Sequence, residues 1–283
     1  MLGHEILLQK LLPLRHFLTK NSINEGNIEW LKKYLEGITL LTSLTYKEKI
    51  ETIKRVTINS NILGSNTRIT EIKHLKYPPK EFVKKFGRAN KIEESVLYAT
   101  FDPITALSEM RPKLGDLITI STWKLKTNYY LTVTPIFKNS TKNGEVHNGM
   151  SLRAGIEYNN LLKQYHDEQL RKQLDIIIQF ITDCFNKEVE DSNHFDYFLS
   201  SHYANRIFWE LQNGEIDAIL YPSVRQSLTL TNIAIKPTIF DENYSLEQVD
   251  ESIITQIPNR TSSGWFMSGT GYSKTFDENL IKW

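Results

Sequence analysis

Apolar residues recur at three- and four-residue spacing over the first part of the chain. Ile28, Leu31, Tyr34, Leu35, Ile38 and Leu41 form one stripe, and Tyr46, Ile50, Ile53 and Val56 continue it. Such spacing lines one side of a helix, so residues 1–62 are read as a helical N-terminal region. The segment NSNILGSNT (59–67) carries no stripe and is rich in Asn, Ser and Gly, which marks a boundary. After Arg68 the pattern shortens. VLYATF (96–101), DLITISTWKL (116–125) and YYLTVTPIF (129–137) are rich in β-branched and aromatic residues and predict strands. Between the first two, DPITALSEMRPKLG predicts a short helix, with Asp102 as its cap, Pro103 at its first position, and Pro112 and Gly115 marking its end.

Further along, KNSTKNGEVHNG (138–149) predicts a polar loop. Leu161, Leu162 and Tyr165, then Leu174, Ile177, Ile178, Ile181 and Phe185, predict one or two helices, and HYANRIFWEL another, together a helical insertion near 158–212. AILYPS (218–223) and NIAIKP (232–237) predict strands, and SLEQVDESIITQI a last helix. The tail SSGWFMSGTGYSKTF suits a terminal hairpin or a lid. The whole predicts a mixed α/β (α+β) chain: a helical region over 1–62, a core of short strands and helices over 63–240, and a C-terminal helix and tail over 241–283.

Composition narrows the function classes. With 40% apolar and 24% charged residues the chain has the proportions of a globular fold, and a formal charge of +1 removes the general electrostatic argument for nucleic acid or acidic membranes. The one cysteine, Cys184, lies in the apolar run DIIIQFITDCF, so no internal disulfide is available and a buried small hydrophobe is expected. No stretch of about 18 apolar residues occurs and no cleavable leader is recognised, which predicts a cytoplasmic protein. The sequons at Asn139 and Asn259 carry no weight in that compartment. Gly269-Thr270-Gly271 lacks the third glycine and following helix of a dinucleotide fingerprint, and the seven histidines lack metal-site spacing, so no metal is expected. No G-x-S-x-G elbow surrounds Ser223.

Three separated segments carry the functional signal: TRIT (67–70), GRANKIEESVLYATFDPITALSEMRP (87–112) and GEIDAILYPSVRQSLTLTNIAIKP (214–237). In order and approximate spacing they resemble the RES domain family, over roughly residues 64–240. The resemblance implies a compact fold related to ADP-ribosyltransferases and NAD as substrate rather than cofactor. It also implies service as the toxin of a toxin–antitoxin pair, with a neutralising antitoxin of helix-turn-helix type. Glu109, Arg88 and Ser223 match its catalytic positions. Arg68, Arg88, Tyr98, Ser223, Asn232 and Tyr221 are the residues expected to hold NAD. The chain departs from the family pattern at Ala218, where glycine is frequent, and in its N-terminal region and central helices.

The residue types suit that chemistry. Arginine forks present several donors to a pyrophosphate and stay charged, which fits Arg68 and Arg88. A tyrosine ring, here Tyr98, stacks on a planar base. Glu109 sits on the predicted short helix, where a carboxylate beside the ribose stabilises the oxocarbenium-like state of glycosidic cleavage. Nicotinamide leaves as a neutral molecule from a cation, so one carboxylate suffices. The Ser223 hydroxyl is assigned to binding substrate or orienting Glu109 rather than to attack. Asn232 could equally hold its own loop. The expected activity is therefore NAD cleavage with water or phosphate as acceptor. Two alternatives are transfer of ADP-ribose to a protein and, from a different class, a catalytically silent interaction module. Retention of Arg68, Arg88, Tyr98, Glu109 and Ser223 argues against the last.

Overall fold

The computed structural model describes residues 3–137, 149–258 and 264–283. The polar segment 138–148 and both sequons lie outside them. The chain is mixed α/β and divides into two compact units: Met1–Lys47, Lys80–Glu94 and Thr132–Leu230 form the first, and Glu48–Pro79, Ser95–Leu131 and Thr231–Trp283 the second.

In the first unit, α1 (Gly3–Arg15) packs its Leu7, Leu11 and Leu14 inward, against α6 (Glu168–Asn186). Helix α2 (Glu25–Glu36) opens on a reciprocal cap between Asn24 and Asn27 and buries Ile28, Leu31 and Leu35, the stripe seen in the sequence. Helix α5 (Gly149–Lys163) sets Ala154 and Tyr158 against Phe137 and Ile178. Asp167 caps α6 by accepting from the amides of Gln169 and Leu170. Helix α7 (Phe198–Trp209) is buried along Phe198, Leu199, Tyr203, Ala204, Ile207 and Phe208. Strand β1 (Tyr46–Glu48) neighbours β5 (Leu131–Pro135), which pairs in parallel with β6 (Ala218–Pro222), Val133 opposite Ala218. Cys184 is buried, and burial holds its thiol well above its usual pKa.

A buried ion pair fastens the N-terminal segment of this unit. The ammonium of Lys187 meets Asp196 Oδ1 at 2.6 Å, their side chains 1% and 0% exposed, and also donates to Phe17 O at 2.7 Å and Ser22 Oγ at 3.0 Å. Asp196 in turn accepts from the amides of Asn21 and Ile23. Both charges are therefore satisfied where neither could stand alone.

His202 of α7 carries a pH dependence. Burial, reinforced by Lys91 and Arg206, lowers its pKa to about 4, and its Nε2 is buried without a hydrogen-bond partner. The folded state keeps the ring neutral while the unfolded chain takes a proton near pH 6.5, so the unfolded state binds more protons between those values. Stability is full above about pH 6.5 and falls as pH drops toward 4, by about 2–3 kcal/mol. Urea denaturation at pH 7 and pH 4.5 of the protein and of His202→Gln checks this: the variant should lose part of the pH dependence, and an unchanged slope would refute the assignment.

The second unit is a sheet of β7 (Thr231–Ile235), β3 (Leu97–Thr100), β2 (Thr52–Ile58), β4 (Leu117–Leu125), β8 (Tyr244–Gln256) and β9 (Phe266–Ser273), in that order and antiparallel throughout. Helix α3 (Asn59–Leu63) follows β2, α4 (Pro103–Met110) follows β3, α8 (Pro237–Asn243) follows β7, and β10 (Phe276–Asp277) with β11 (Leu280–Ile281) forms a small ladder.

Two sequence expectations are corrected here. The stripe Tyr46 to Val56 forms β1 and β2 rather than a helix. Strand β2 pairs on both sides and is covered on both faces, so the two-residue alternation that identifies a half-buried strand is missing. The segment 245–257, expected as a helix, lies almost wholly in β8. A register shift opposite Thr122 and Trp123 inserts Glu247, so Leu246 and Val249, three residues apart, face the same side. A bulge thus imitates helical spacing. The tail forms β9 and the small β10–β11 ladder.

Candidate functional site

Pairing register assigns the second unit's side chains to two faces, because residues directly opposite in a ladder share a face. Thr100 lies opposite both Lys54 and Asn232, and Tyr98 opposite Ala234. Lys54, Val56 and Ile58 lie opposite Thr122, Ile120 and Ile118. One face thus carries Tyr98, Thr100, Asn232, Val56, Ile58, Ile118 and Ile120, and α4 packs on it through Ala106 and Leu107.

Helix α4 is built as the sequence predicts. Asp102 accepts from the Thr105 amide at 2.8 Å and from its hydroxyl, and Pro103 occupies the first turn. The helix ends at Met110 with Arg111 in the left-handed region, φ 48°, before Pro112 can disrupt it. With Ala106 and Leu107 anchored, Glu109 is half-buried at the helix end, and its Oε1 accepts from Asn232 Nδ2 at 2.8 Å. Asn232 is 3% exposed. Tyr98 is half-buried on the adjacent strand, diagonal to Asn232. Glu109, Asn232 and Tyr98 are thus brought together on one face, from two segments far apart in the chain.

Arg68 is not brought to that face. Glu251 lies opposite Thr119, which is opposite Thr57, and these belong to the other side of the sheet. The guanidinium of Arg68 donates to Glu251 Oε1 from Nε at 3.0 Å and Nη2 at 2.8 Å, and to Thr270 O at 3.0 Å, and the Trp283 ring stacks over it at 4.7 Å. Glu251 is 2% exposed, so its charge requires this cation. Arg68 is a clamp holding β9 and Trp283, with its guanidinium on Glu251 and the Thr270 carbonyl in place of the phosphate expected from its sequence. Gly271 leaves room for the clamp, since a Cβ there would approach Arg68 Nη2 and the Trp283 ring to 2.9 Å. Gly271→Ala is expected to lower stability by about 1–3 kcal/mol through overpacking. At Gly269 a Cβ would meet nothing within 4 Å, so Gly269→Ala should be close to neutral. Equal thermal midpoints for the two variants would refute this.

The remaining sites lie in the first unit. Arg88 occupies a tight turn in which the Gly87 amide donates to Asn90 O at 3.1 Å. Its guanidinium donates to the carbonyls of Phe185 and Lys187 at the end of α6 and stacks over the Tyr197 ring at 5.0 Å. That is a helix C-terminal cap, a role distinct from the phosphate contact expected of it. Tyr221 is buried, with its ring 5.8 Å from that of Phe185. Ser223 is fully buried at the end of β6; its amide donates to Leu230 O and its carbonyl accepts from the amides of Gln226 and Leu228.

One residue escaped the sequence reading. Arg55 of β2 donates from Nη1 to Tyr98 O at 2.8 Å, its Nε is buried without a partner, and it has no carboxylate partner among the described residues. Burial draws its pKa down to about 10. Strands β2 and β3 share a single bridged pair, Lys54 opposite Thr100, and Arg55 holds the Tyr98 backbone beside that bridge. Its signal was the second of two adjacent cations in ETIKRVTI, placed on the face opposite Val56 and Ile58 only once that segment is read as a central strand.

Among the described residues no helix is long and apolar enough to cross a membrane. A scan against protein-family models finds no match to this chain, and a search of curated proteins finds none either.

Proposed function

We propose that this protein cleaves the bond between nicotinamide and ribose in NAD, with Glu109 as the catalytic carboxylate. The observation that supports this reading is the hydrogen bond from Asn232 to Glu109 on the face that also carries Tyr98. These are three of the residues for which the sequence resembles the RES family, and they form a carboxylate, its orienting amide and an aromatic ring within one small region. In the reaction the C1′–N bond breaks, its electron pair goes to the ring nitrogen, and nicotinamide leaves neutral. Positive charge develops on the ribose, where Glu109 stabilises it at short range. Water or phosphate then forms the new bond to C1′; with water, one proton is released to solvent. Asn232 fixes the carboxylate, and Arg55 fixes the backbone of the strand that carries Tyr98. The same reading makes the protein a drain on cellular NAD, hence a toxin held in check by a neutralising protein.

Nicotinamide release from NAD by the purified protein tests the proposal, with water, phosphate and a protein extract offered in turn. Release that accompanies NAD loss is expected, and label left on protein would identify ADP-ribose transfer instead. No release with any acceptor would remove the proposal.

A further inference from the structure

The Asn232 amide has a defined orientation. Its neighbour, the Glu109 carboxylate, accepts hydrogen bonds and cannot donate them when ionised, so Nδ2 faces Glu109 and Oδ1 points away. That Oδ1 is shielded from solvent and has no hydrogen-bond partner. Buried acceptors are nearly always satisfied, so an orphan beside a candidate catalytic group marks a place where a donor is missing from the free protein.

Tyr98 lies diagonal to Asn232 on the same face. A pyridine ring laid against Tyr98 with its ribose carbon at Glu109 turns its adjacent edge toward the residue bonded to Glu109. In nicotinamide that edge carries a carboxamide, whose N–H₂ donates. In nicotinic acid it carries a carboxylate, which offers no donor and meets the negative charge of Glu109. We infer that Asn232 Oδ1 accepts from the carboxamide and makes the site selective for the amide over the acid form of the dinucleotide. This rests on the reading of the site as one that cleaves NAD.

The test compares kcat/KM for NAD and for nicotinic acid adenine dinucleotide, in the wild-type protein, in Asn232→Leu and in Asn232→Ser, which guards against misfolding of the first. The wild type should favour NAD by about tenfold or more, the worth of one buried hydrogen bond and an avoided repulsion. Asn232→Leu should bring the ratio close to unity. Loss of Glu109 positioning lowers both substrates alike, so only a contact with the base moves the ratio. Equal use of both dinucleotides by the wild type, or an unchanged ratio in both variants, overturns the inference. Calorimetric binding of free nicotinamide and nicotinic acid is measured beside turnover. Amide-selective binding that depends on Asn232, without cleavage, would sustain the inference and remove the proposed reaction; binding of neither base without cleavage would remove both.

Discussion

Glu109→Gln is expected to reduce nicotinamide release by about two to three orders of magnitude, the usual loss when a charge-stabilising group is removed from a transition state. The replacement keeps the shape, and its amide can present oxygen to Asn232 Nδ2, so the local hydrogen bond at 2.8 Å has a substitute. Helix α4 is anchored by Ala106, Leu107 and the Asp102 cap rather than by Glu109. The loss should therefore appear in kcat with little change in the urea midpoint. An activity within a few-fold of the wild type would exclude Glu109 from the reaction. A comparable fall in folding stability would make the residue structural.

Lys187→Met should cost about 3–5 kcal/mol of stability, the penalty for leaving a buried charge without its partner. Burial lowers the Lys187 pKa while Asp196 opposes the shift, and the ammonium also serves Phe17 O and Ser22 Oγ. Removing it exposes Asp196 as an unpaired carboxylate beneath residues 21–23, which that carboxylate holds through two backbone amides. The double variant Lys187→Met, Asp196→Asn should recover part of the loss, because the uncompensated charge is gone and an amide oxygen can still accept. Urea denaturation of the three proteins measures this. A cost below about 1 kcal/mol for the single variant would show that the pair is not the fastening it resembles.

The readable parts of the fold were those whose patterns follow from one cause. Helix α4 announced itself through Asp102, Pro103 and Pro112, and α6 through a stripe from Leu174 to Phe185, because caps and one-sided burial leave local marks. Strands β2 and β8 did not. The first is covered on both faces, and the second carries a bulge, so each loses the alternation that marks a strand. At the site, Glu109, Asn232 and Tyr98 were named from sequence, and the structure brings them onto one face. Arg68 stands in a segment that resembles the RES family, but sequence cannot tell a ligand from the counter-ion of Glu251, a residue far along the chain. Arg88 likewise has the chemistry of a phosphate ligand and the partners of a helix cap.

The parallel pairing of β5 with β6 has a consequence for timing. Val133 meets Ala218 only after the chain has passed through α5, α6 and α7, so this ladder closes over a long intervening segment whose ordering must come first. The antiparallel pairing of β8 with β9 asks less, since Gln256 pairs with Phe266, a residue close to it along the chain. Refolding should therefore proceed in at least two phases, with the ladder at β6 in the slower one. Until it forms, Tyr221 and the end of β6 at Ser223 lack the neighbouring strand that holds them in place.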